Sequence, residues 1–300
     1  MKKSIVFALG LALWLISSLP IGQLAGATTD TIRFAVIGDY GTGDANEAAV
    51  ASQVKSWNPD FIITVGDNNY SYGAQSTIDQ HIGQFYADYI YPYTGTYSGT
   101  ATVNRFFPAL GNHDWYTTGA TPYLNYFTLP GNERYYDFVR GAVHLFALDS
   151  DPNEPDGTSS SSTQATWLHS QLGLSTSCWN LVYLHHAPYS SALHGSNPTL
   201  QWPFQAWGAD AVFAGHDHDY ERIDVGGIPY FVDGSGGAGL YPFVQIVAGS
   251  QYRDDTHFGA MRVTATATQL TYEFIASSGT ILDTYTQNGG CSVFLPLVMK

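Results

Sequence analysis

The stretch Phe61-Ile62-Ile63-Thr64-Val65-Gly66-Asp67-Asn68-Asn69-Tyr70 sets an almost continuously apolar run directly before a glycine and a group of polar side chains. Such a run is typical of a strand that is covered on both faces of its sheet. The glycine lets the backbone turn sharply without a Cβ clash. In open α/β sheets, ligands bind just outside the carboxyl ends of the strands. The stretch therefore predicts a buried strand that delivers Asp67 and Tyr70 to a binding crevice.

The same arrangement recurs at four other places in the chain. Predicted strands at Ile32–Ile37, 106–110, 181–184 and 211–213 each lead into polar residues. Those residues are Gly38-Asp39, Gly111-Asn112-His113-Asp114, His185-His186 and Gly215-His216-Asp217-His218. Each motif alone is weak evidence, because Gly-Asp pairs are common in ordinary turns. Five of them at the ends of predicted strands indicate one shared metal site.

Predicted helices at 48–57, 76–89 and 163–172 alternate with these strands and with a further strand at 143–148. This alternation predicts an α/β architecture with a largely parallel sheet. The rhythm changes after residue 228, where strands at 263–275 and 280–285 follow without helices between them. We expect them to form a second sheet that closes over the first. No clear linker is present, so residues 28–288 are predicted to form one catalytic domain.

The two ends of the chain have their own signals. Met1-Lys2-Lys3, an apolar run at 5–16 and the small-residue site Ala25-Gly26-Ala27 predict a secretory signal peptide, residues 1–27. The apolar run of about 12 residues is too short for a bilayer, which needs roughly 20. We therefore expect a secreted, cell-surface or periplasmic protein without stable membrane insertion after cleavage. Residues 289–300 form a short apolar tail, either a packed final segment or a docking signal.

The formal net charge of −14 disfavours binding to nucleic-acid backbones. The chain has two cysteines, Cys178 and Cys291. They can form a disulfide in an oxidising compartment or remain as two unpaired thiols. Neither lies in a Cys-x-x-Cys spacing, so a thiolate metal site is not expected.

The order and spacing of the five motifs resemble the calcineurin-like metallophosphoesterase superfamily. The second motif, with Tyr70, looks like the purple acid phosphatase form, and the resemblance covers roughly residues 34–239. The stretches His186-Ala187-Pro188-Tyr189 and Gly234-Ser235-Gly236-Gly237 are also similar to that family. The small, tartrate-resistant type is the nearer likeness. The resemblance implies an α/β fold, a sandwich of two mixed β-sheets flanked by helices and built from βαβ units.

The resemblance also implies two metal ions. A ferric ion would be bound by Asp39, Tyr70 and His218, and a divalent iron, zinc or manganese ion by Asn112, His186 and His216, with Asp67 bridging them. Phenolate and carboxylate suit a hard trivalent ion, whereas imidazole and amide suit a divalent one.

Two choices among the histidines complete the prediction. Adjacent strand residues face opposite ways, so only one of His185 and His186 points into the site. The family pattern places the ligand before a small residue and a proline, which selects His186. His113 and His194 match the catalytic histidines that contact the substrate and protonate the leaving group.

The implied function is an exported phosphatase that hydrolyses small-molecule phosphate monoesters by attack of a metal-bound hydroxide. One alternative is a phosphodiesterase or nucleotidase with two divalent ions, in which Tyr70 has another role. Another is a non-catalytic exported protein that binds metal or phosphate, although the presence of His113 and His194 disfavours it.

Overall fold

A computed structural model describes residues 31–291 of the chain. The predicted signal peptide, residues 1–27, and positions 292–300 of the predicted tail lie outside the described residues. Within 31–291, no helix combines the length and the apolar character needed to cross a membrane.

The described residues form strands arranged in two sheets. The strands are β1 (Ile32–Ile37), β2 (Phe61–Thr64), β3 (Phe106–Pro108), β4 (Tyr136–Arg140), β5 (Val143–Ala147), β6 (Trp179–His186), β7 (Ala211–Gly215), β8 (Tyr220–Val225), β9 (Ile228–Asp233), β10 (Ser250–Asp254), β11 (Gly259–Ala265), β12 (Gln269–Ala276) and β13 (Ile281–Asn288).

The first sheet has the strand order β13-β12-β11-β1-β2-β3, and the second has the order β10-β8-β9-β7-β6-β5-β4. Strands β1, β2 and β3 are parallel, and β11 joins them by pairing antiparallel with β1. In the second sheet β5, β6, β7 and β9 are parallel, and β4, β8 and β10 are antiparallel to their neighbours. The sandwich of two mixed sheets is thus confirmed. The expectation of one largely parallel sheet is wrong, because the parallel strands are divided between both sheets.

The last part of the chain differs from prediction in one further respect. The predicted strand at 263–275 is a hairpin of β11 and β12, in which Thr266 N donates to Gln269 O over 2.8 Å. Strands β4, β8, β9 and β10 were not predicted at all.

Helices cover the outer faces of the sandwich. Helix α1 (Ala45–Ser56) begins three residues before the predicted start, because the Asp44 carboxylate caps it by accepting from Asn46 N and Glu47 N. The predicted helix at 76–89 consists of a π-helix (Asp79–Gly83), a short α2 (Gln84–Tyr86) and a 3-10 turn (Ala87–Tyr89). The remaining α-helices are α3 (Asn112–Trp115), α4 (Thr121–Tyr126), α5 (Thr163–Leu174) and α6 (Phe204–Trp207).

The core between the two sheets is rich in aromatic rings. Phe274 of β12 stacks on Tyr220 of β8 at 4.1 Å between ring centroids, and Tyr272 lies 4.7 Å from Phe231. Residues of β6 alternate between this inner core and an outer core under α5. Leu181 and Tyr183 point inward, and residues 182 and 184 point outward.

Cys178 and Cys291 form a disulfide, with a Cα–Cα distance of 4.8 Å. The sequence left open whether these cysteines form a disulfide or remain unpaired thiols, and the structure has the disulfide. The bond connects the residue before β6 to the segment that follows β13.

Candidate metal centre

The hydroxyl of Tyr70 lies at the meeting point of three predicted ligands. It is 3.1 Å from Asp39 Oδ1, 3.0 Å from Asp67 Oδ2 and 3.1 Å from His218 Nε2. His218 Nε2 is in turn 3.4 Å from Asp39 Oδ1. These four side chains come from the ends of β1, β2 and β7, so both sheets contribute to the cluster.

A second group of donors lies on the other side of Asp67. His185 Nε2 is 2.9 Å from Asn112 Oδ1, 3.2 Å from His216 Nδ1 and 3.4 Å from Asp67 Oδ1. Asp39, Asp67 and His185 each offer an atom within 4.8 Å of the others, an arrangement that can hold a metal ion.

The structure brings His185, the neighbour of the predicted ligand His186, close to the carboxylates. His185 is fully buried and its Nδ1 lies 2.8 Å from the Val65 carbonyl, so it follows Tyr183 into the space between the sheets. The His186 ring lies 4.4 Å from the His216 ring, and its Nδ1 lies 2.9 Å from Ser150 Oγ. His185 is thus the imidazole nearest to Asp67 and Asn112, and the register of β6 is irregular between Tyr183 and His186, so the choice of His186 as the ligand stays a prediction.

The loops that carry the ligands are tightly bent and bonded to one another. Asp39, Asp67 and His216 have positive φ angles of 54°, 51° and 72°, a conformation that few non-glycine residues adopt and that Asp and His tolerate better than most. Asp39 Oδ2 accepts a hydrogen bond from His216 N at 2.9 Å, and Asp67 Oδ1 accepts one from His113 N at 2.8 Å. The carboxylates thus fix the neighbouring motifs as well as facing the site.

Two glycines allow this close approach. A Cβ at Gly111 would lie 2.2 Å from Asp67 Oδ1, and one at Gly215 would lie 2.4 Å from Asp39 Oδ2. Any larger residue at either position would therefore displace a carboxylate.

The electrostatics of the cluster favour bound cations. Burial, followed by the carboxylates of Asp39 and Asp67, raises the pKa of Tyr70 well above its usual value. Burial acts to lower the pKa of His185, but the charges of Asp67 and Asp39 outweigh it and raise that pKa. So much negative charge in a buried space is costly unless cations offset it.

The imidazoles of His186 and His216 are held neutral, which is the state that binds a metal. Burial, reinforced by His185, lowers the pKa of His186 to about 3. Burial and the same neighbour lower the pKa of His216 far below its usual value. The donor set of carboxylates, phenol, amide and imidazoles therefore fits one hard trivalent ion and one divalent ion.

His113 is oriented by a backbone carbonyl. Its Nδ1 lies 2.6 Å from Ser71 O, and because a carbonyl only accepts, this nitrogen carries the proton. Its Nε2 faces the cluster, 3.9 Å from Asp67 Oδ2. A protonated Nε2 there can give its proton to an oxygen held over the site.

His194 lies on a loop beside the cluster. Its ring stacks on His216 at 4.2 Å, and together they line a cavity of about 220 Å³ with His186 and residues 195–198. Asp217 holds this loop, because its carboxylate accepts from the backbone N–H groups of His194 and Gly195 at 2.7 and 3.0 Å.

Sequence reasoning missed two supporting residues. Asp217 occupies the variable position of the predicted Gly-His-x-His motif, and its burial, which marks it as a supporting residue, is visible only in the structure. Asp114 accepts from Gly111 N at 2.9 Å and from Asn68 Nδ2 at 2.8 Å. Burial and then the charge of Asp67 raise the pKa of Asp114 to about 7.

Comparison with known proteins gives two family matches. The calcineurin-like phosphoesterase family matches residues 32–220, and the iron/zinc purple acid phosphatase-like protein C family matches residues 227–284. Tartrate-resistant acid phosphatase type 5 of Homo sapiens is 25% identical over 256 residues, which cover 75% of this chain and 79% of that protein. Purple acid phosphatase 17 of Arabidopsis thaliana is 28% identical over 224 residues, which cover 64% of each.

Two solved structures share the fold. Purple acid phosphatase PPD1 from yellow lupin (Lupinus luteus) has a TM-score of 0.69 at 21% identity, and the match covers 88% of this chain. It covers 55% of the lupin chain, so the present chain spans just over half of it. GAP50, the anchor in the inner membrane complex of Plasmodium, has a TM-score of 0.69 at 18% identity, covering 87% of this chain and 90% of that one.

Proposed function

Because the chain belongs to the calcineurin-like phosphoesterase family, we propose that it is an exported binuclear phosphatase that hydrolyses phosphate monoesters. It is a metal-dependent phosphoric ester hydrolase of the purple acid phosphatase type. The observation that carries the proposal is the Tyr70 hydroxyl, which lies within 3.1 Å of Asp39, Asp67 and His218. A phenol among carboxylates and an imidazole matches the preference of a ferric ion for hard oxygen donors.

The proposed ligands are those predicted from sequence with one change: we propose His185 in place of His186, because its Nε2 lies 2.9 Å from Asn112 Oδ1 and 3.4 Å from Asp67 Oδ1. Asp39, Tyr70 and His218 would hold ferric iron, Asn112, His185 and His216 would hold a divalent iron, zinc or manganese ion, and Asp67 would bridge them. The two ions would supply Lewis acidity, lowering the pKa of a water and withdrawing charge from the phosphate oxygens. Residues 28–288 would be the catalytic domain.

The protein's own side chains do the rest of the work. His113 Nε2 faces the cluster and would give its proton to the leaving oxygen as the ester bond breaks. His194 lines the cavity beside His186 and His216, where it would help to hold the phosphate. Asp217 keeps His194 in place through two backbone hydrogen bonds.

The test is metal analysis of the purified protein together with a visible spectrum and a phosphatase assay. We expect iron and a second metal in equal amounts, a purple to pink colour, and hydrolysis of 4-nitrophenyl phosphate. A colourless protein that holds two divalent ions and hydrolyses diesters would favour the phosphodiesterase alternative. A metal-loaded protein that hydrolyses neither monoesters nor diesters would favour the alternative of a non-catalytic protein that binds metal or phosphate.

Export is proposed from Lys2, Lys3, the apolar run and the Ala25-Gly26-Ala27 site. Expression of the full chain in a secreting host should release protein whose first residue is Thr28. Intact Met1 on cell-associated protein would contradict it.

A further inference from the structure

The loop at 190–195, which carries His194, is held to the second sheet by two buried carboxylates. Asp217 accepts from Ser190 Oγ and from two backbone N–H groups near the end of the loop. Glu221 of β8 accepts from Ser191 N at 2.8 Å and from Ser191 Oγ at 2.6 Å. Every oxygen of these two acids therefore has a donor.

Asp219 lies between these two acids in the chain and has no such partners. Its side chain is fully buried, and neither of its carboxylate oxygens accepts a hydrogen bond from any group within residues 31–291. The arginine ion pairs of the same part of the chain are made with other carboxylates. A buried carboxylate without a donor or a counter-charge is costly in a folded protein. We therefore expect a ligand that neutralises Asp219.

The direction of the Asp219 side chain follows from β8, which begins directly after it. Tyr220 faces the inner core, where its ring stacks on Phe274, whereas Ile223 belongs to the outer core. Because neighbouring strand residues alternate between the two faces, Asp219 shares the outer face with Glu221. The acids before and after Asp219 both hold the 190–195 loop, so Asp219 lies beneath that loop.

A further carboxylate comes from the neighbouring strand. Strand β10 pairs antiparallel with β8, and its register, which pairs Asp254 with Tyr220, sets Asp255 opposite Asp219. Burial disfavours the charged form of Asp219, and the charges of the neighbouring acids, Asp255 among them, add to this cost. Asp255 is partly exposed, so an ion can reach the pair from solvent.

We propose that Asp219 and Asp255 bind a calcium ion beneath the loop that carries His194, as a third cation in addition to the two of the metal centre. The donors are hard carboxylate oxygens, and both ring nitrogens of the neighbouring His218 are used elsewhere. Calcium completes its shell with backbone carbonyls and waters in flexible geometry, whereas magnesium demands near-ideal octahedral geometry. The ion would join β8, β10 and the loop into one unit. The site is separate from the phosphatase chemistry proposed above and does not depend on it.

The test measures calcium binding to protein whose metal centre is already loaded. The loaded protein is passed over a chelating resin, and mass spectrometry confirms that both metals remain, so that added calcium does not fill their positions. Calcium alone is then added, in equilibrium dialysis and in thermal unfolding, with sodium chloride of equal ionic strength as the control for screening. We expect one calcium per chain with a Kd of about 10⁻⁴–10⁻³ M, as in extracellular calcium modules. The Tm should rise by about 3–5 °C at a tenfold excess over the Kd.

Asp219→Asn keeps the shape of the side chain and removes its charge. Its calcium affinity should fall at least tenfold, and its Tm should no longer rise with calcium. Its Tm should stay close to that of calcium-free wild type, which separates loss of the ion from failure to fold. Asp255→Asn should weaken the calcium affinity as well. Asp224→Asn is the matched control, because Asp224 is an exposed acid of the same strand, and it should bind calcium as wild type does.

Amide hydrogen exchange of residues 190–195 should become slower when calcium is added to wild type, and should not change in Asp219→Asn. The proposal is overturned if metal-loaded wild type binds no calcium, which would leave Asp219 as a protonated or water-bonded acid. It is overturned equally if Asp219→Asn binds calcium as tightly as wild type, or if calcium leaves the exchange of the loop unchanged. None of these results bears on the phosphatase function, which is tested by the metal content and the turnover of the metal centre.

Discussion

His185 Nε2 lies 2.9 Å from Asn112 Oδ1, although Asn112 follows a strand of one sheet and His185 lies in a strand of the other. Asn112 follows β3 of the first sheet, and His185 lies near the end of β6 in the second. The second half of the metal centre is therefore held across the interface between the sheets. Its ligands are close only because the two sheets pack face to face.

Metal analysis of two variants can show which of the adjacent histidines, His185 or His186, is a ligand. His185→Ala should lose about one equivalent of metal, and its turnover should fall beyond the roughly 10–100-fold that residues outside the ligand shell cost. His186→Ala, the matched control on the same strand, should keep both metals. Mass spectrometry of bound metals, with circular dichroism as a check on folding, decides between them. Loss of metal from His186→Ala alone would restore the assignment made from sequence.

The Tyr70 hydroxyl should give the oxidised protein its colour. A phenolate bound to ferric iron absorbs visible light by charge transfer, so Tyr70→Phe should lose the visible band. Iron content of the variant must be measured in parallel, because loss of the ion would also remove the colour. An unchanged band in iron-containing Tyr70→Phe would show that Tyr70 is not a ligand.

His113→Ala should retain both metals and the colour, because only its Nε2 faces the cluster. Turnover should fall by roughly 10²–10⁴-fold, the usual contribution of a proton-transfer group. The loss should be larger for an alkyl phosphate than for 4-nitrophenyl phosphate, whose leaving group hardly needs a proton. Equal losses on both substrates would limit His113 to positioning the phosphate.

Removing the disulfide should destabilise the fold without changing the site. The bond joins residues 113 positions apart, and a loop of that length is strongly constrained in the unfolded chain. The double variant Cys178→Ser, Cys291→Ser should lose about 2–5 kcal/mol of unfolding free energy in denaturant titrations. Thr176→Ala, an exposed neighbour, should be unchanged. Equal stability of the double variant and wild type would contradict the prediction.

The ligands on tight turns were predictable from sequence, because Asp39 and Asp67 follow a β-rich run and a glycine. His185 was not. Both faces of β6 are apolar, so the sequence does not indicate which face meets the other sheet. That direction depends on Val65, which directly follows β2 of the opposite sheet and whose carbonyl accepts a hydrogen bond from the His185 ring. It is therefore a property of the packed fold.

The strands that sequence reasoning did not find were missed for different reasons. The β11–β12 turn at residues 266–268 contains no glycine, proline or asparagine, so no local signal interrupts the threonine-rich run that favours a strand. The β8–β9 hairpin could have been found, since Gly226-Gly227 separates two β-rich runs and is a strong hairpin signal.

The position of β1 has a consequence for how the protein is made. The strand that delivers Asp39 has β2 on one side and β11 on the other, so that Phe34 pairs with both Phe61 and Val263. A ribosome must therefore release most of the chain before the middle of the first sheet is complete. His218 is likewise synthesised long after Asp39. Metal loading of the proposed site would therefore follow synthesis of most of the chain, because Asp39 is made long before His218.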